Sequence, residues 1–78
     1  MKRTLNPILK EYVWRNFTSG WVYGKILSVK EGKVSYKIVK KSDDISLDIG
    51  YNTFFHPKDC EKENYRFLTE DEYFLEMI

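Results

Sequence analysis
The chain has 78 residues, with 13 Lys+Arg against 12 Asp+Glu for a formal net charge of +1, and 42% of it is hydrophobic, with neither Ala nor Gln. No apolar run approaches the roughly 20 residues of a membrane helix, no basic-then-apolar leader is expected, and one cysteine makes no internal disulfide framework. The hydrophobic content argues against disorder throughout; one small domain over residues 1–78 is expected, in which aromatic side chains, each burying ~150–250 Å², serve the core by default.

In chain order, Leu5, Ile8, Leu9, Tyr12, Val13 and Phe17 recur at helical intervals, which predicts a helix over 7–17. Asn6 caps it, Pro7 suits its first position and Gly20 follows its end. A strand is the alternative, because Tyr12, Val13, Trp14 and Phe17 favour sheets. From Trp21 to Phe55 the period changes to two. Glu31-Gly32 is a two-residue hairpin turn, which sets Val29 opposite Val34, Leu27 opposite Tyr36 and Lys25 opposite Ile38. A second turn at Ser42-Asp43 sets Ile38 opposite Leu47, Tyr36 opposite Ile49 and Val34 opposite Tyr51. The two turns place one apolar face on three strands, although a bulge at Gly32 would shift the first strand's facing. Gly24 and Gly50, inside strands, mark bends or bulges. Residues 56–64 read as a surface loop. Thr69 and Glu72 then form a capping box for a helix of about nine residues, too short to persist alone, which must dock through Tyr73, Phe74, Met77 and Ile78.

The near-zero net charge conceals a divided chain: residues 1–41 carry +8 and residues 42–78 carry −7. In the register above, Lys30, Lys33, Lys37 and Lys41 project opposite the core, a row suited to phosphates with aromatics nearby for stacking on bases. The same register sets Lys37 against Asp48 and Lys41 against Asp44, and such cross-strand pairs stabilise a sheet by ~0.2–1 kcal/mol; on that account the surface neutralises itself. Lys outnumbers Arg ten to three, which disfavours base-specific readout. Val22, Ile26, Val39 and Phe54 fall among the lysines and are too apolar for a solvated face. The C-terminal helix, a curl of the sheet or a protein partner must cover them. Lys25 falls in the core row and is expected to snorkel to water.

His56 and Cys60 have a metal-like His-x3-Cys spacing, but zinc needs four ligands and the chain has no second Cys or His. A Cys–His nucleophile needs an orienting group and oxyanion donors, and the charged loop supplies no reason to expect them. The carboxylates suit caps and turns, and the glycines lack a phosphate-binding spacing. No enzyme activity, metal or cofactor is expected.

The run Trp21–Val29 followed by Lys33–Val39 resembles the first hairpin of Tudor and other SH3-like small barrels, and Phe54–Cys60 resembles the segment that closes them. The likeness spans roughly half the chain on generic motifs. It implies Trp21, Tyr23 and Tyr51 as members of an aromatic cage for a methylated residue. The expected fold is therefore α+β, a three-stranded antiparallel β-meander with an N-terminal helix and a short C-terminal helix, with an SH3-like small β-barrel bearing helical additions as the alternative. The expected function is a non-enzymatic, cytoplasmic binding module that engages a protein partner through Val22, Ile26, Val39 and Phe54. The AT-rich flavour of the composition points to a phage or mobile-element protein acting on a host factor. The alternative is a nucleic-acid-binding module using Lys30, Lys33, Lys37 and Lys41. No membrane association is expected, and homo-oligomerisation is left open.

Overall fold
The computed structural model describes residues 10–78. Asn6, Pro7 and the start of the expected N-terminal helix lie outside the described residues. The remainder of that helix is a strand: β1 spans Tyr12–Phe17. It is followed by β2 (Gly20–Lys30), β3 (Lys33–Lys41), β4 (Asn52–Phe55), 3₁₀ turns at Pro57–Asp59 and Lys62–Asn64, β5 (Tyr65–Leu68) and the helix α1 (Glu70–Met77). The strands form one sheet in the order β4-β3-β2-β1-β5, with every neighbouring pair antiparallel. The three-stranded α+β meander with an N-terminal helix is thus corrected to a mostly β chain with five strands and a C-terminal helix among the described residues. No helix among the described residues is long and apolar enough to cross a membrane.

Residues 12–17 form a strand because tertiary pairing overrides their helical spacing. β1 is a central strand with β2 on one side and β5 on the other. Its aromatic and β-branched residues suit a surface packed on both faces. Val13 points into the core with no exposure, while Tyr12 on the opposite face is buried beneath α1.

The Glu31-Gly32 turn forms with φ of 51° and 80° at its two residues, the left-handed pair of a type I′ turn that matches strand twist. Val29 faces Val34, the pairing expected of that turn. Beyond it the register departs from expectation. Ile26 faces Tyr36 and Ser28 faces Ser35, leaving Leu27 as an extra residue in a bulge. One extra residue exchanges the faces of everything before it. Gly24, not Lys25, therefore faces Ile38, and Lys25 faces Lys37. A second irregularity, at Val39, sets Tyr23 against Lys40 and Val22 against Lys41.

The second hairpin slips by four residues: Val34 faces Phe55 and Tyr36 faces Thr53. An even slip keeps each side chain on its face, so Thr53 and Phe55 still point inward. The displaced residues form a loop instead of a strand, closed by Ile45 N–H donating to Ser42 and Tyr51 N–H donating to Asp48, with Gly50 at φ 94°. Ile45 drops from this loop into the core beside Val13, Val22, Val34, Tyr36, Ile38 and Phe55. The sheet curls around that cluster until its two edges approach: the Phe55 ring on β4 lies 5.6 Å from Tyr65 and 6.3 Å from Phe67 on β5.

Candidate functional site
The bulge at Leu27 re-sorts the residues expected to bind a partner. Val22 is wholly buried and Ile26 packs against the core, so neither presents itself to a partner. Val39 is half-buried at the second irregularity. Phe54 is 48% exposed on the outer face of β4. The structure does not bring these four residues together as one surface.

The same bulges remake the lysine row. Lys30, Lys33 and Lys37 are exposed on the outer face. Lys41 leaves the row: it pairs with the buried Val22, and its ammonium donates to the Ile45 carbonyl at 3.2 Å. Lys25 and Lys40 replace it, both exposed. Lys25 stands directly opposite Lys37, and Lys30 opposite Lys33. The expected Lys37–Asp48 and Lys41–Asp44 pairs do not form. The ion pairs among the described residues are Lys10–Glu72 and Arg66–Glu76, both on α1.

Between the lysines lies a groove of ≈ 360 Å³ lined by Leu27, Ser28, Ser35, Asn52, Thr53 and Phe54. The Lys33 ammonium sits 4.8 Å from the centre of the Phe54 ring, and the His56 imidazole meets that ring edge-on at 5.9 Å. Leu27 is 51% exposed in it. This face therefore offers cationic side chains around an aromatic ring and apolar surface.

Across β2 and β1 the same face is covered by α1. Its N-terminus is built as the sequence implies: Thr69 accepts from the Glu72 N–H, and the Glu72 carboxylate accepts from the Thr69 N–H. That bond, together with Lys10, holds the Glu72 carboxyl below its ordinary range. Glu76 accepts from Arg66 and from the Tyr23 hydroxyl, the latter at 2.7 Å. Those donors hold its carboxyl low. Burial and the bond to Glu76 push the Tyr23 hydroxyl up to about 12.

Arg15, on the inner face of β1, was not singled out by its sequence. Its guanidinium lies 4.2 Å from the Phe55 ring centre and 4.6 Å from that of Phe17. It donates to the Tyr36 hydroxyl at 3.3 Å and more weakly to the Cys60 sulfur at 3.6 Å, and its buried Nε has no partner. The rings hold this cation where no carboxylate pairs with it. Cys60 and His56 are thus engaged separately, one with Arg15 and the other with Phe54. Among the described residues no group of three or more His, Cys, Asp or Glu is placed to hold a metal. Of the expected cage, Trp21 and Tyr23 meet edge to face at 5.5 Å. Tyr51 lies half exposed before β4, paired with neither.

Lys25, expected in the core row, and Lys40, expected in no row, both stand on the outer face, because a bulge leaves no mark in an alternating pattern. The glycine expected to signal a bend, Gly24, lies next to one irregularity and three residues from the other. No protein-family model, curated protein or solved structure matches the chain.

Proposed function
We propose that the outer face of β2, β3 and β4 binds single-stranded nucleic acid. The observation that carries this reading is the pair of lysine pairs, Lys25 opposite Lys37 and Lys30 opposite Lys33, with no carboxylate among the described residues bonded to any of the four. Like charges directly opposite destabilise a sheet, and phosphates along the face relieve that repulsion while counterions are released. Phe54 supplies an exposed ring on which an unpaired base stacks. Lysine, a point charge without the planar fork of arginine, suits neutralisation of a backbone more than reading of base edges. The resemblance to Tudor and other SH3-like small barrels is in keeping with a binding role for a small curled sheet.

A protein partner is the second reading, favoured by the exposure of Leu27 and Phe54 on that face. Titrating labelled single-stranded and duplex oligonucleotides at two salt concentrations separates the two. The nucleic-acid reading expects single strands to bind at low salt and to bind more weakly at high salt. It also expects Phe54→Ala to lose about 1–3 kcal/mol of affinity, the range for one base on one ring. No binding at low salt, or binding indifferent to salt, contradicts it.

A further inference from the structure
The register draws two rows of side chains across the outer face. One runs Leu68, Tyr12, Lys25, Lys37, Asn52 over all five strands; the other runs Arg66, Trp14, Tyr23, Lys40 over four. Each begins under α1 and ends in exposed lysine or asparagine. The Lys25 ammonium lies 5.1 Å from the centre of the Tyr12 ring, and the Arg66 guanidinium 5.6 Å from that of Trp14. The lysine face is therefore continuous with an aromatic platform of Tyr12, Trp14 and Tyr23.

What covers that platform is acidic and lightly held. α1 contains Glu70, Asp71, Glu72 and Glu76 and no basic residue. Glu72 takes Lys10, and Glu76 takes Arg66 and the Tyr23 hydroxyl. The Tyr73 ring stacks on Tyr12 and meets Tyr23 edge-on at 5.7 Å. These are the contacts a strand of nucleic acid makes, carboxylates standing where phosphates go and a ring where a base goes. No residue of α1 is buried, and Phe74 and Leu75 point away, 51% and 70% exposed. Eight residues do not hold a helix together without a surface to dock on.

We propose that the nucleic-acid path continues from the lysines onto Tyr12, Trp14, Tyr23 and Arg66, and that α1 occupies this half of the path as an internal anionic competitor. The inference rests on the binding face proposed above. Binding along the whole path exchanges Glu72 and Glu76 for phosphates at Lys10 and Arg66, and Tyr73 for a base on Tyr12.

The test uses the full chain and a labelled oligothymidylate. Amide exchange of wild type at saturation is expected to show α1 losing protection while β2 and β3 keep theirs. Glu76→Gln, which weakens the hold on Arg66 and Tyr23, is expected to tighten binding by roughly fivefold or more. Glu70→Gln, the same change of charge at a residue with no bond to the sheet, is expected to tighten it much less. If wild type binds with α1 protection unchanged, or if the two variants bind alike, the competitor role is wrong and the lysine face stands. If neither wild type nor Glu76→Gln binds the oligonucleotide, the binding face falls and this inference with it.

Discussion

The rings of Tyr12 and Tyr73 lie face to face, their centroids 4.0 Å apart and their planes within 1° of parallel. This stack joins the middle of the sheet to a helix that has no buried residue of its own, so it is the main apolar attachment of α1. Such ring pairs contribute ~0.5–1.5 kcal/mol beyond the area they bury. Tyr73→Ala is expected to release α1, abolishing amide protection over residues 70–77 while β2 and β3 remain protected. Protection of α1 equal to that of wild type contradicts this attachment.

The polar side of the same attachment gives a pH signature. The Tyr23 hydroxyl stands at about 12 against an ordinary 10, through burial and its bond to Glu76. An unfolded chain therefore loses this proton first as pH rises, so stability is complete below pH 10 and falls between 10 and about 12. Urea midpoints measured across that window are expected to fall, and to fall less steeply in Tyr23→Phe. Tyr73, also raised by burial, leaves a residual slope. At the acid end Glu76 has the opposite sign: its lowered carboxyl contributes stability above its ordinary 4.5 that is lost as pH falls through the lowered value. An alkaline limb as steep in Tyr23→Phe as in wild type contradicts the assignment.

Gly24 sits where a side chain has no room. A Cβ there falls within the ring of Tyr36, which is 1% exposed in the middle of the core. Gly24→Ala is expected to cost about 1–3 kcal/mol, as overpacking of a filled core does, read as a lowered urea midpoint with unchanged slope. A midpoint equal to that of wild type contradicts the packing of Tyr36 under β2.

Glu31 holds a left-handed φ of 51° without being glycine. Asn tolerates that conformation better, and the left-handed helical region costs most side chains about 1–2 kcal/mol. Glu31→Asn is expected to raise stability by up to about 1 kcal/mol. The measurement belongs in high salt, where losing a carboxylate beside Lys30 and Lys33 is screened. A lowered midpoint there contradicts the turn type.

Much of this fold was legible where chemistry is local. The capping box at Thr69 and Glu72 and the turn at Glu31-Gly32 follow from short spacings, and both are present. The alternation of 33–39 showed β3 and its inner residues Val34, Tyr36 and Ile38. β1 was legible only as the alternative to a helix, because both faces of its start are covered, Val13 by the core and Tyr12 by α1, which blurs the alternation of a strand. β5 was hidden by length: Tyr65-Arg66-Phe67-Leu68 is four residues, and what makes it a strand is a β1 partner some fifty residues earlier. The candidate site was half legible for the same reason. Lys30, Lys33 and Lys37 kept their side near the turn, whereas Val22, Lys25 and Ile26 lay beyond the bulge at Leu27 and Lys41 beyond the irregularity at Val39, which reversed them.

The lysine face is tested most directly by the salt dependence of oligonucleotide binding by wild type and by a Lys25→Gln, Lys37→Gln variant. The logarithm of affinity against the logarithm of salt concentration is expected to be linear, with a negative slope made shallower by roughly 0.7 for each lysine that contacts a phosphate and is removed. The double variant is expected to bind more weakly and to lose part of that slope, its fold intact because both positions are exposed. A slope identical to that of wild type contradicts the lysine face as the site.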